Sequence, residues 1–168
     1  MEIYRIQKGT DEWLYSAYDY VRTDAFCFGQ NIPVELEFSG DQDKDELEGI
    51  IIIEDHKPVA GCRITYPENG VGKIVRVCVI REKQKGGHGR ILIREAEKWI
   101  VENGVNHIVI NSQDRAAGFY NKLGYVTNPD VDPHVYEKKH ERKKPVVEVN
   151  LPKVDLGFTT VLVEKYVN

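Results

Sequence analysis

The stretch from residue 71 to residue 102 constrains this chain more than any other. Lys73-Ile-Val-Arg-Val-Cys-Val-Ile80 is rich in β-branched residues, Gln84-Lys-Gly-Gly-His-Gly89 is a glycine-rich turn, and Arg90 to Glu102 carries helical periodicity. A strand that turns through glycines into a helix start exposes consecutive backbone N–H groups. Together with the positive end of the helix they form a place for phosphate oxygens. Arg90, in the first turn, opposes the helix dipole unless an anion compensates it. Gln84, Lys83 and Lys85 add side chains that suit an anion. The competing reading is a glycine helix start with no ligand, but flexible positions cost entropy unless close backbone approach requires them. Two other glycine motifs are excluded. Gly87-His-Gly89 continues as Arg90-Ile91-Leu92, which breaks the GxGxxG spacing, and no GxxxxGK followed by Ser or Thr occurs.

The rest of the chain reads as alternating short elements. Ile3 to Ile6 suits a first strand. Thr10 or Asp11 caps a helix with Glu12 in its first turn, and Trp13, Leu14, Ala17, Val21 and Ala25 recur at helical spacing up to Gly29. Residues 30–49 lack steady periodicity and read as a long ordered loop with room for one short helix. Ile50–Glu54 and Pro58–Tyr66 form a hairpin about Asp55-His56, and Pro67-Glu-Asn-Gly70 turns the chain into Val71–Ile80. Three consecutive antiparallel strands follow from this. The next helix places Ile91, Ile93, Ala96, Trp99 and Ile100 on or near a buried stripe and ends at Asn103-Gly104. His107–Asn111 is a strand reached by a helical crossover, which implies parallel pairing. Ser112 or Asp114 caps a helix over Arg115–Leu123, and Tyr125-Val126 opens another strand. Residues 128–156 carry four prolines, with Val146–Val149 as a short strand, and Gly157–Val167 is a long closing strand. The order β–α–β–β–β–α–β–α–β–β predicts an α+β fold, a mixed central sheet flanked by helices, in one domain over residues 1–168.

Composition narrows the function. The 168 residues suffice for one hydrophobic core, and 41% apolar with 30% charged residues fits an ordinary globular protein. A net charge of −4 gives no reason to expect a nucleic-acid partner, although it is compatible with a local basic patch, and the Lys/Glu/Arg run at 137–144 reads as a solvated loop. No apolar stretch reaches the length of a membrane span, and Met1-Glu-Ile-Tyr-Arg has no secretion-signal character, so a cytoplasmic location with no membrane partner is expected. Cys27, Cys62 and Cys78 lack CxxC spacing and read as reduced thiols, with Cys62 and Cys78 as small core residues. His56, His88, His107, His134 and His140 show no strong zinc spacing, so no metal is expected.

Two strings together resemble the GNAT acyltransferase superfamily. Arg76-Val-Cys-Val79 with Gln84-Lys-Gly-Gly-His-Gly89 is similar to the family's cofactor strand and its Q/R-x-x-G-x-G/A loop. Asn111-Ser-Gln-Asp-Arg-Ala-Ala-Gly-Phe-Tyr-Asn-Lys-Leu-Gly-Tyr125 is similar to its later strand, Phe-Tyr helix and following strand. Arg22-Thr-Asp-Ala-Phe26, Gln30-Asn-Ile-Pro33 and Glu35-Leu-Glu37 resemble small bacterial members and acyl-homoserine lactone synthases, which share the fold. The resemblance covers residues 1–126 and resumes at 157–165, leaving 128–156 as an enlarged connection before the last strand.

The resemblance implies a GNAT-type fold in which the strands at 71–80 and 107–111 splay apart around the pantetheine arm of acetyl-CoA. The arm would pair with the backbone at Val77, Cys78 and Val79. Gln84, Lys85, Gly86, Gly87, His88, Gly89 and Arg90 would hold the pyrophosphate, and Asn111, Ala117 and Tyr120 complete the implied cofactor contacts. Asn111 reads equally as a strand-end cap. Tyr120 would protonate the leaving thiolate, and Phe119 reads as core. Glu35 and Glu37 alternate sides if locally extended, and one of them would attract the acceptor's ammonium or take its proton. Arg22 would pair with one of these acids or bind an acceptor carboxylate, and it reads equally as a surface charge. Phe26 and Phe28 would close a narrow acyl channel. The implied activity is direct N-acetyl transfer in a ternary complex to a small amine or a peptide. The alternatives are a silent CoA sensor or peptide-binding module, and use of a longer acyl donor. A homodimer through the C-terminal half is left open.

Overall fold

The computed structural model describes residues 1–38, 47–137 and 157–168. The expected strand at Val146–Val149, His140 and most of the enlarged connection lie outside the described residues. Among the described residues seven strands form one mixed sheet: β1 (Glu2–Ile6), β2 (Glu48–Glu54), β3 (Lys57–Glu68), β4 (Val71–Val79), β5 (His107–Gln113), β6 (Val126–Asn128) and β7 (Thr160–Tyr166). Their spatial order is β1-β2-β3-β4-β5-β7-β6. β4 and β5 run parallel, joined by the helical crossover, and every other neighbouring pair is antiparallel. The α+β reading and the three-strand meander therefore hold.

Local chemistry accounts for most of these elements. Asp55 and His56 both take positive φ, 51° and 62°, as a two-residue type I′ hairpin turn requires. Ile50 to Ile53 are all buried because β2 has a helix on each face: α1 (Glu12–Arg22) on one and α3 (His88–Glu102) on the other. A strand covered on both faces reads as a continuous apolar run rather than an alternating one. Two glycines let these helices approach. A Cβ at Gly72 would lie 2.7 Å from Ile100 Cγ2 of α3, and one at Gly61 would lie 3.0 Å from the Tyr18 ring of α1. Leu92, Ile93, Ala96, Trp99 and Ile100 of α3 are buried. Trp13 is half exposed and packs edge-on against Tyr4 instead of joining the core stripe.

Several boundaries differ from the sequence reading. The first helix does not run uniformly to Gly29. It widens into a π-helical turn at Thr23–Phe28, where the Gly29 amide donates to the Asp24 carbonyl. This turn brings the Asp24 carboxylate to Arg81, accepting from its backbone N–H at 2.8 Å and from its guanidinium at 3.1 Å. Glu35 and Glu37 are not on an extended segment but on a short helix, α2 (Val34–Phe38). The helix expected at Arg115–Leu123 is a 3-10 turn, Asp114–Ala116, followed by α4 (Ala117–Lys122). Asp114 supports that turn by accepting from the Arg115 N–H at 2.9 Å.

Two irregularities in β4 position everything that follows. Gly61 pairs with Cys78 and Arg63 with Val75, so two steps on β3 oppose three on β4. This is a β-bulge, and within it Arg76 takes φ 55°, unusual for a residue with a side chain. The parallel ladder to β5 covers only Val71–Lys73 against His107–Val109. Beyond it, among the described residues, no strand pairs with Ile74–Val79 on that side. The two strands therefore part at the C-terminal end of the sheet, as the resemblance implied, and the edge of β4 faces the gap.

Candidate functional site

The loop after β4 is tied down on its protein side and open on the other. The Ile80 N–H donates to the Val59 carbonyl at 2.9 Å, and a 3-10 turn covers Arg81–Lys83. Gln84 folds back, its amide donating to the Val79 carbonyl at 3.2 Å. Gly87, with φ 88° and ψ −1°, is the N-cap of α3, and among the described residues no side chain caps the helix. The first intrahelical bond runs from Ile91 to the Gly87 carbonyl, so the amides of His88, Gly89 and Arg90 have no intrahelical acceptor. A Cβ built on Gly87 meets no atom within 4 Å. Lys85 and Arg90 are exposed at this open side. Donors, positive helix end and free space thus coincide.

His88 does not share that exposure. It is 7% exposed, and its Nε2 lies 2.6 Å from Oε2 of Glu54 at the end of β2. Phe119 was expected in the core and is instead 38% exposed. Its ring lies over Gly89, where an added Cβ would come within 3.1 Å of Cζ. Adjacent side chains on a helix face different ways, and on this six-residue helix the one that points inward is Tyr120 rather than Phe119.

In the gap between the parting strands, Asn111 on β5 holds a buried Oδ1 with no hydrogen-bond partner among the described residues. Ala117 begins α4 and is half buried. Tyr120 is buried, its ring edge-on to Phe119 at 5.1 Å and to Tyr125 at 6.0 Å. Burial, with smaller contributions from the nearby Cys62 and Cys78 thiols, raises its hydroxyl well above the usual tyrosine range. It is therefore a protonated phenol near neutral pH.

On the α1 side the acids separate. Glu37 is 1% exposed, and Glu35 faces solvent. Oε2 of Glu37 lies 3.4 Å from Arg22 Nη2, and Oε1 lies 3.3 Å from Nη1 of Arg76 on the bulge. Arg22 is buried, not a surface charge. It donates to the Glu37 carbonyl at 2.9 Å and sits between the rings of Tyr18 and Phe38. Arg76 was missed as a site residue because nothing local in Val-Arg-Val-Cys signals a bulge. Phe26 packs in the core, whereas Phe28 is 65% exposed beneath the Arg81 guanidinium, so the two phenylalanines do not meet across a channel.

The thiols have the wrong setting for nucleophilic catalysis. Burial pushes Cys62 up to about 12 and Cys78 higher still, and Cys78 donates weakly to the Gly61 carbonyl. Cys27 is half buried, and burial followed by the nearby Glu37 raises its thiol as well. His56 is in the hairpin turn, His107 contacts Glu164, and His134 contacts Glu137. Among the described residues no three His, Cys, Asp or Glu side chains converge as a metal would require, and no helix is long and apolar enough to cross a membrane.

Comparison with known proteins gives the same architecture. The sequence model described as the Acetyltransferase (GNAT) family matches residues 3–125. The uncharacterized N-acetyltransferase YjcF of Bacillus subtilis strain 168 is 35% identical over 115 residues, covering 68% of this chain and 79% of that protein. The crystal structure of an acyl-CoA N-acyltransferase from Pseudomonas aeruginosa superposes with a TM-score of 0.72 at 14% identity, covering 98% of each chain. The N-acetylglutamate synthase of Neisseria gonorrhoeae, solved with coenzyme A and N-acetyl-glutamate, superposes with a TM-score of 0.63 at 14% identity. That match spans all of this chain and 36% of the other.

Proposed function

This chain belongs to the acetyltransferase (GNAT) family, and on that premise we propose that it transfers the acetyl group of acetyl-CoA directly to a primary amine of a small molecule or peptide. One observation carries the proposal: the uncapped start of α3, with open space at Gly87, adjoins the unpaired edge of β4 beyond its bulge. A phosphate-sized anion and an extended amide-bearing arm fit that pair of features, and coenzyme A is a ligand with both. The unpartnered Oδ1 of Asn111 is a further acceptor in the same gap.

The residues then divide the work. Amides from Gly86 to Arg90, with Gln84 and Lys85, hold the pyrophosphate. Backbone groups at Val77, Cys78 and Val79 pair with the pantetheine amides as an added strand would, while the Cys78 thiol stays in the core. Tyr120 delivers its phenolic proton to the departing thiolate. The acceptor reacts as a neutral amine, its proton passing to water or to a carboxylate. Glu37 is already matched to two arginines, so Glu35 is the acid available to attract a cationic acceptor. The high thiol pKa values support direct transfer over an acyl-cysteine intermediate.

The test is a panel of amines and short peptides incubated with acetyl-CoA, with released thiol as the signal and calorimetry of CoA binding alongside. Turnover with at least one amine is expected. Tight CoA binding with no turnover across the panel would instead indicate a sensor. Because Phe26 and Phe28 do not close a channel together, a donor series from acetyl to octanoyl belongs in the same assay. A preference for longer chains would overturn the acetyl assignment alone.

A further inference from the structure

Position 88 is an unexpected place for a buried histidine. It is the first residue of α3, where a cation opposes the helix dipole, and its side chain is turned away from the open face of the loop. One carboxylate explains the arrangement. Glu54 stands at the end of β2, next to the hairpin turn, and reaches the loop from behind. Its Oε2 is 2.6 Å from His88 Nε2, and its Oε1 is 3.7 Å from Lys83 Nζ. Lys83 enters the glycine loop and His88 leaves it, so a single acid spans both ends of Gln84–Gly87. The other ring nitrogen, Nδ1, is buried without a hydrogen-bond partner among the described residues and lies against Gly86, where an added Cβ would come within 3.2 Å of it. The ring therefore also forms the inner wall of the loop.

We propose that Glu54 is a positioning residue for the phosphate-binding loop, acting through His88 and Lys83 to hold the backbone amides of residues 86–90 in a converging arrangement. The inference rests on the reading above that this loop binds coenzyme A. It leads to an effect opposite in sign to simple electrostatics. Glu54 is an anion behind an anion site, so its charge alone opposes the ligand, and removing that charge would tighten binding. If its contribution is the geometry of the loop, removing it weakens binding.

The experiment is calorimetric titration of the full chain with coenzyme A, paired with steady-state kinetics on an accepted amine, for Glu54→Ala, Glu54→Gln and His88→Leu. Glu54→Ala should weaken CoA binding and raise the KM for acetyl-CoA by about tenfold, with kcat at saturation changed by less than about twofold. Glu54→Gln still accepts a hydrogen bond from His88 and should recover most of the affinity. His88→Leu keeps apolar volume but releases Glu54, so it should resemble Glu54→Ala. Equal or tighter CoA binding in Glu54→Ala and His88→Leu would overturn the proposal, as would a loss confined to kcat. If Glu54→Ala fails to fold, His88→Leu decides on the same criterion. Absence of CoA binding by the unmodified protein is a separate result, which would remove the coenzyme reading itself.

Discussion

Placing a side chain at Gly87 separates the fold from the function. Gly87 has φ 88°, and its missing Cβ would meet no atom within 4 Å. Gly87→Ala therefore has only a left-handed backbone penalty, about 1 kcal/mol. For a chain of this size that is a melting shift of about 2–4 °C. Gly87→Trp has the same backbone penalty, and its Cβ starts the indole into the open space before α3. That space is where the phosphates of coenzyme A are proposed to lie. The indole should thus raise the Kd for CoA at least about a hundredfold, equivalent to about 2.7 kcal/mol of binding, while the two variants melt within about 2 °C of each other. Gly72→Ala supplies the inverse control. Its Cβ would fall 2.7 Å from Ile100 Cγ2, so it should cost about 1–3 kcal/mol of stability and leave CoA affinity intact. The measurements are differential scanning fluorimetry and calorimetric titration. Unchanged CoA affinity in a folded Gly87→Trp would refute the reasoning.

Further expectations are independent of that one. Tyr120→Phe should lower kcat by at least about tenfold while the KM for acetyl-CoA stays close to that of the parent; an unaltered kcat would remove the proton-donor role. Glu37→Ala removes the buried carboxylate from Arg22, whose contact with Asp19 at 3.8 Å remains, and should cost about 3 kcal/mol in a urea melt; a loss below about 1 kcal/mol would show that the cluster matters little to stability. Brief iodoacetamide treatment of the native protein at pH 8 should modify Cys27 in preference to Cys62 and Cys78, as read by peptide mass spectrometry, and Cys27→Ala should retain turnover. Loss of activity in Cys27→Ala would reopen the covalent route.

The elements legible in the sequence were those set by neighbours along the chain. Asp55-His56 marked the hairpin, the crossover between β4 and β5 marked the parallel pair, and Ile93, Ala96, Trp99 and Ile100 marked the buried face of α3, although Leu92 is buried there and Ile91, read on the stripe, is half buried. Features set by distant partners were not legible. The bulge at Arg76 needs no glycine and leaves no mark in a run of alternating valines. The π-helical turn follows from contacts such as Asp24 with Arg81, 57 residues away. Glu54 and His88 are 34 residues apart, and neither local pattern announces the other. The acids of α2 were visible as candidates, yet which one was buried depended on Arg22 and Arg76 arriving from two other elements. Phe26 and Phe28 were read together as closing an acyl channel, but on the wide turn Phe28 faces outward while Phe26 faces in.

The placement of β7 also has a consequence for the order of assembly. It lies between β5 and β6, pairs with both, and carries Lys165 to Glu97 of α3 and to the Leu123 carbonyl. During synthesis the ribosome must therefore release residues 160–166 before β6 has a neighbour to pair with. Until then β5 waits with an open edge, exposed to other nascent chains. The meander β1–β4 can form earlier on the growing polypeptide, so the two halves of the sheet should differ in their dependence on chaperones.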